Sequence, residues 1–369
     1  MLFKKHKKKH LSTSDKVVLV FNNIGAAALL LSYLAPVTDP GKLLFIAVLG
    51  FGYQVLLIMN ILFIVYWIVR YRLYFLISTV GILAGITILT ANFGFHLSNY
   101  KNNKNGEEGA IRMMAYNVRG FNGIDKYENK PIDKEIIQIV NEVQPDIINF
   151  EEFWEKKSDS GATIKTTEKN LKTDNYYFKK FATSSSGSSG NAIFTKFPIV
   201  DSGYIASPGI LNTKAIFVDV KIKSKIIRIY CIHLAPVTMD DEEKRRNLNG
   251  RLSLNKIPFI TGKLDSAFLL RSRQVSIIKK HMSACRYPYI VAGDFNDTPI
   301  SFAVNKLSEG LKNTFIEKGS GLGTTYYNRF PKLHIDYILV SRQFDVLNYQ
   351  TMDKELSDHK PIISDLRLN

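Results

Sequence analysis

Three apolar stretches without a single Lys, Arg, Asp or Glu fill most of the first 97 residues: Val17–Ala35, Leu43–Val69 and Leu73–Leu97. Each is long enough to cross a bilayer as helix, which takes about 20 residues. A signal peptide has one short apolar core and a cleavage site, a form that three long stretches in succession do not match. The chain therefore divides into a basic tail over 1–16, a three-span transmembrane anchor over 17–97, a polar linker over 98–109 and a soluble domain over 110–369. The first span is the weakest, because Asn22 and Asn23 lie within it. No span carries a charged residue that would mark an ion pathway, so anchoring is the expected role and transport is not.

Basic residues in short loops set orientation. The tail KKHKKKH precedes the first span, and Arg70 and Arg72 join the second to the third, beside Tyr66, Trp67, Tyr71 and Tyr74 as an interfacial belt. Both basic ends are expected on the cytoplasmic side, which places residue 98 onward on the other. In a bacterium this is a multi-pass protein of the inner membrane with a periplasmic domain. The net charge is +16, and the first 100 residues supply nine basic residues against two acids. The remainder has 40 against 31, so it is basic in its own right and suits polyanions or anionic headgroups. Cys231 and Cys285 have no zinc-like spacing; two buried thiols are expected, or one disulfide outside the cytoplasm.

Beyond the linker, buried-strand patterns alternate with helical ones. IRMMAYNV reads as a strand, Ile132–Gln144 as a helix with apolar residues at 136, 137, 140 and 143, and DIINF as a second strand. NAIFTKFPIV, KAIFVDVKI and KIIRIYCI follow, the last two joined by a turn near Lys223–Lys225. Residues 241–282 read as two helices divided near Pro258 and Gly262, before strands PYIVAG, HIDYILV and PIISDLRL. Strands and hairpins mixed with helices predict two packed sheets flanked by helices.

Chemistry-bearing residues sit where those strands meet loops: Asn117 in MAYNVRGFN, Glu152 in DIINFEEF, His233 in YCIHL, Asp294 and Asn296 in VAGDFNDTP, Asp336 in HIDYILVS, and Asp358 and His359 in LSDHKP. Asp294 and Asn296 are two apart and can face one cleft from an extended segment, the acid activating a water and the amide holding it. Alone, GDFN equally fits an Asx turn. His359 beside Asp358 supplies an imidazole and a carboxylate from one loop, and Asp336 is a candidate to orient that imidazole. Glu152 offers a carboxylate to a metal, and Asn117 an amide or a strand cap. His233 taken singly fits a structural histidine. Acids and amides with two imidazoles suit a hard cation and phosphate-ester chemistry.

In this order and setting the segments resemble the endonuclease/exonuclease/phosphatase superfamily, over roughly Ile111 to Leu368. SGNAIFTKFPI is similar to a further strand of that family, with Thr195 in its Ser place. The resemblance implies a four-layer α/β sandwich, two mixed β-sheets flanked by helices, here preceded by three transmembrane helices. It implies Mg²⁺, or Mn²⁺ in its place, held by Glu152 with Asn117 close and Asp358 adding a carboxylate. Asp294 would deprotonate the attacking water and Asn296 would hold it. His359, supported by Asp336, would bind the scissile phosphate or transfer a proton, and His233 would contact a non-bridging oxygen. Many members have Gln where this chain has Glu151, an extra carboxylate that alters metal affinity or faces solvent.

The expected function is a membrane-anchored, Mg²⁺-dependent phosphoesterase cleaving phosphodiesters. The substrate is nucleic acid or, alternatively, a phospholipid headgroup such as that of sphingomyelin or a phosphoinositide. Lys244, Arg245, Arg246 and Arg273, with Lys263 and Arg271 nearby, could track a nucleic-acid backbone or form a solvated helix face. A catalytically silent binding module at the envelope is the other class of reading. The sequence leaves oligomeric state open.

Overall fold

The structure is a computed structural model and describes residues 10–96, 109–124, 132–157, 162–207, 213–237, 257–327 and 332–369. The N-terminal part is a helical bundle. Helix α1 (Thr13–Ser32) starts at a capping box, in which Ser12 and Asp15 bond each other's backbone amides. α2 (Leu44–Phe51) and α3 (Tyr53–Val69) meet at a 62° bend, and α4 (Phe75–Ala84) and α5 (Ile86–Asn92) at a 70° bend. Among the described residues, only α1 is by itself long and apolar enough to span a membrane; each bent pair qualifies if counted as one span. The two longer stretches are thus broken helices where continuous ones were expected. Gly52 and Gly85 stand at the breaks, and a Cβ on Gly85 would strike the Tyr33 ring.

The asparagine that weakens the first stretch on paper is a hub in the fold. Trp67 Nε1 donates to Asn22 Oδ1 (2.8 Å), Asn22 Nδ2 donates to Ser78 Oγ (2.7 Å), and Ser78 Oγ donates to Asn60 Oδ1 (2.7 Å). Asn60 Nδ2 in turn donates to the Gly25 carbonyl. The polar groups of α1, α3 and α4 therefore satisfy one another inside the bundle, while Val20, Phe21, Ile58, Leu62 and Val80 face outward. Polar inside and apolar outside is the arrangement that lipid favours. Arg70 and Tyr66 close one end of the bundle by bonding the buried Asp15 carboxylate at 2.8–3.0 Å.

The remaining chain forms strands β1 (Gly94–Phe95), β2 (Ile111–Asn117), β3 (Ile147–Lys156), β4 (Tyr176–Thr183), β5 (Gly187–Thr195), β6 (Ile199–Tyr204), β7 (Ala215–Ile222), β8 (Lys225–His233), β9 (Tyr289–Asp294), β10 (Leu311–Asn313), β11 (Ser320–Gly321), β12 (Asp336–Ser341), β13 (Phe344–Val346), β14 (Gln350–Thr351) and β15 (Ile362–Leu368). One sheet runs β13-β15-β2-β3-β5-β4, with β14 also on β15; the other runs β10-β12-β9-β8-β7-β6. Within these sheets the pairs β2–β3 and β8–β9 are parallel, and the rest are antiparallel.

Alternation along each strand builds the layers. Met113, Ala115, Ile227, Ile229, Ile290 and Ile338 meet between the sheets. Met114, Tyr116, Ile148 and Phe150 turn the opposite way, under α6 (Asp133–Val143) and α7 (Ala162–Leu171). Tyr230, Val291 and Leu339 pack under α8 (Ile257–Ser283) and the short helix Phe302–Ser308. This is the expected sandwich of two mixed sheets between helices. Helix α8 runs unbroken through Gly262, where a division was expected; it starts at Ile257, with Pro258 in its first turn, where the missing N–H has no intrahelical partner to lose, and an earlier helix would lie outside the described residues.

Two polar features tie the parts together. Arg112 is buried under the first sheet and donates to both Asp365 oxygens at 2.7 and 2.8 Å and to the Val143 carbonyl. Arg112→Met should destabilise the intact protein by about 3–5 kcal/mol, because it strands a buried carboxylate. Thermal melting followed by circular dichroism checks this, and adding Asp365→Leu should recover most of the loss. The bundle also docks on the sandwich. Asn305 Nδ2 donates to the Pro36 carbonyl (2.9 Å) and Ser272 Oγ to Asp39 Oδ1 (2.7 Å). Phe51 meets Phe268 edge-on, and Ile300 joins Leu29, Ala35, Ile46 and Tyr53 in one buried cluster. Strand β1, just past α5, pairs with β11.

Candidate active site

The two parallel pairs bring their C-terminal ends to one edge of the sandwich. Asn117 ends β2 beside Glu151 of β3, and His233 ends β8 beside Asp294 of β9. Asp336, the first residue of β12, is the antiparallel partner of Asp294. The backbone then departs from regular strand at the points that aim side chains. Gly293 has φ +138°, and a Cβ there would collide with the Ile232 carbonyl and Glu151 Oε1. Glu152 sits in a bulge between Phe150 and Phe153 with φ +52°, a conformation that costs an ordinary side chain about 1–2 kcal/mol. The bulge separates two neighbouring acids. Glu151 is buried between the sheets, and Glu152 keeps its carboxylate 40% exposed in the cleft.

Asp294 is the centre of the resulting network. Its Oδ2 accepts from Asn117 Nδ2 (3.0 Å) and Asn296 Nδ2 (3.1 Å), and its Oδ1 accepts from the Asn296 amide (2.8 Å). The same Oδ2 lies 3.7 Å from both His233 Nε2 and His359 Nε2. His359 Nδ1 is bonded to Asp336 at 2.9 and 3.1 Å, which leaves Nε2 to face Asp294 and the cleft. His233 Nε2 stands 3.8 Å from Glu152 Oε1 and has no hydrogen-bond partner among the described residues, although it is buried. Asp358 is held by Ser357 Oγ (3.2 Å) and approached by Arg119 Nε (3.8 Å).

Burial pushes the Asp294 carboxyl up to about 7; Asp336 adds to the rise, and His359 and the Asn117 and Asn296 donors hold it back. Burial pulls His359 down, but the Asp336 and Asp294 charges overcome it and hold the imidazole well above its ordinary value. His233 goes the other way, pressed well below by burial and then by Lys214. The site thus pairs a proton-holding imidazole with a neutral one across a single carboxyl. Asp294, Asp336 and His359 also place ligand atoms within 4.8 Å of one another, a spacing that a divalent cation can bridge.

Asn117, Glu152, His233, Asp294, Asn296, Asp336 and His359 therefore form one chain of contacts, and Asp358 joins it through Ser357, whose Oγ also donates to the Asn117 carbonyl (2.8 Å). Lys244, Arg245 and Arg246 lie outside the described residues. Arg273 is exposed on α8, about 200° round the helix from Arg271. Arg271 is corrected: it is buried, bonded to Asp297 Oδ2 (2.9 Å) and to the Ala235 carbonyl (3.0 Å), and so unavailable to a polyanion. It clamps the loops after Asn296 and His233. Its signal was its place on the apolar stripe Ala267, Phe268, Val275 and Ile278. Of the two alternatives for Glu151, the solvent-facing one is corrected. Glu151 does not face solvent but accepts from Cys231 Sγ (3.1 Å), and burial drives both groups well above their ordinary values. Cys231 and Cys285 are both free thiols, the first buried and the second half-buried, and they form no disulfide. Thr325 was missed as well: its hydroxyl accepts from the Ile335 and Asp336 amides and fixes the start of β12.

A profile of the endonuclease/exonuclease/phosphatase family matches residues 114–359, which include every one of these site residues. The chain belongs to the endonuclease/exonuclease/phosphatase family. Members of this family hydrolyse phosphate esters, and the chain is a phosphoester hydrolase. A domain of unknown function matches residues 15–92, which cover most of the helical bundle. The fold is similar to a family structure from Beutenbergia cavernae DSM 12333, with 19% identity, 71% of this chain and 72% of that chain covered, and a TM-score of 0.52. It is also similar to family structures from Bacteroides vulgatus (18% identity, 70% and 99% covered, TM-score 0.52) and Bacteroides thetaiotaomicron (18%, 70% and 98%, TM-score 0.51). No curated protein matches the chain in sequence.

Proposed function

We propose that the protein is a membrane-anchored, Mg²⁺-dependent phosphodiesterase. The observation that carries this reading is the closed network on Asp294, one carboxylate oxygen shared by two amides and flanked by two imidazoles. A carboxyl held near neutrality is matched to taking a proton from water, and Asn296 is placed to hold that water. His359, oriented by Asp336, presents Nε2–H to a phosphate oxygen, where a fixed donor stabilises charge that grows in the transition state. The unpartnered His233 Nε2 faces the same space and suits a non-bridging oxygen. Glu152, Asn117 and Asp358 would hold the cation, whose role is to neutralise charge on the phosphate and the leaving oxygen. The donor set fits such a hard ion: carboxylates and an amide, with the most exposed carboxylate in the cleft.

The bent pairs α2–α3 and α4–α5 each serve as one span in this reading. The basic tail and Arg70 and Arg72 mark the cytoplasmic side. The turn over Pro36–Asp39 and strand β1 both contact the domain, which supports their lying together on the opposite side. In a bacterium the domain is then periplasmic. The docking also favours a second substrate reading, a phospholipid headgroup in place of nucleic acid. The test is full-length protein in proteoliposomes given bis-p-nitrophenyl phosphate, plasmid DNA and phospholipids. Turnover should vanish in EDTA and return with Mg²⁺ or Mn²⁺. Turnover that survives EDTA sinks the metal reading, and no turnover on any substrate favours a binding module.

A further inference from the structure

Where the bundle meets the sandwich, the fold leaves large apolar side chains uncovered on both sides of the seam. Phe95 of β1 is exposed, and so is Phe93, in ring contact with it at 5.0 Å. Across the β1–β11 pairing, Ile316 is 43% and Leu322 57% exposed. His96 closes the same seam, its amide donating to the Gly319 carbonyl and its Nε2 lying 3.3 Å from the Ile316 carbonyl. The patch follows directly along the chain from the helices: β1 starts two residues after α5, whose Ile86 is also exposed. Neighbouring Glu317 and Lys318 are exposed and cancel in charge.

We infer that the 316–322 segment of the catalytic domain lies in the interfacial layer of the bilayer, with Ile316 and Leu322 inserted beside Phe93 and Phe95. This rests on the membrane-anchored reading and extends it from the helices to the domain itself. An apolar edge that continues an anchor is buried at the boundary of headgroups and acyl chains by its area, without needing anionic lipid. The consequence reaches the active site along the chain. Three residues after Leu322, Thr325 holds the Asp336 amide, and its carbonyl accepts from the Lys360 amide (2.7 Å) next to His359. Segment 316–322 is thus linked through Thr325 to the strand start and the loop that carry Asp336 and His359.

The test uses the full chain with Cys285→Ser and one added cysteine, Leu322→Cys or Ile316→Cys, carrying an environment-sensitive fluorophore. The protein is reconstituted in phosphatidylcholine vesicles with a spin-labelled lipid quencher. Leu62→Cys on the outer face of α3 (61% exposed) reports the anchor, and Val200→Cys on β6 (52% exposed), at the far edge of its sheet, reports solvent. The quencher should dim the labels at 62, 316 and 322 severalfold more than the label at 200, and raised salt should leave this unchanged. Quenching at 62 with 316 and 322 behaving like 200 overturns the inference and spares the anchor. No quenching at 62 overturns both. Neither outcome depends on turnover.

Discussion

Asp294→Asn should lower turnover on bis-p-nitrophenyl phosphate by about two to four orders of magnitude, the range for losing a positioned general base. The amide keeps the shape of the carboxyl but cannot take the proton from water. The same change should make the metal-free protein more stable at high pH. The Asp294 carboxyl rises from 3.8 to about 7 on folding, chiefly through burial. Between those values the folded chain keeps a proton that the unfolded chain has released, so stability falls as pH rises through this window. Asparagine removes that loss. Melting curves in EDTA at pH 5 and pH 8 should show the variant gaining on the parent as pH increases. A variant that is inactive yet less stable at both values would mean that Asp294 is structural.

His359→Gln is expected to cost a comparable factor, about 10²–10⁴ in turnover. It should destabilise where Asp294→Asn stabilises, although both variants gain on the parent as pH rises. The Asp336 and Asp294 charges raise His359 well above its ordinary value, so the folded chain gains a proton-linked stabilisation. That contribution is full below 6.5, the ordinary value, and fades as pH climbs through the raised one. The variant should therefore melt lower than the parent at pH 5 to 6 and approach it at alkaline pH. Asp336→Asn acts through the same imidazole, because both Asp336 oxygens bond Nδ1. The double change His359→Gln with Asp336→Asn should cost no more activity than His359→Gln alone. Additive losses would assign Asp336 a separate role, such as a ligand within the Asp294, Asp336 and His359 cluster.

The convergence of these residues was legible in the chain because nearly all of them sit where an apolar run meets a loop, and strand ends in open α/β layers meet at one edge. Asp294 and Asn296 could be read together from their spacing, and Asp336 could be paired with His359 on chemistry. The bulge at Glu152 could not be read, since nothing local says that two adjacent acids will part, one into the core against Cys231 and one into the cleft. Arg271 misled for a related reason. A basic residue in a basic stretch resembles a surface residue until Asp297, 26 positions away, is seen to meet it. In the bundle, asparagine counted against a span when each helix was weighed alone. Asn22 and Asn60 are satisfied only by partners on other helices, which hydropathy along one segment does not register.

The seam at Pro36, Asp39 and Phe51 has a practical corollary for anyone preparing this enzyme. A fragment begun at Gly109 would strip Ile300, Phe268 and Ser272 of their companions, and these flank the Arg271–Asp297 clamp. Such a truncated product would carry a raw sticky facet and a slackened catalytic loop, so poor behaviour in that form would reflect the surgery and not the native catalyst.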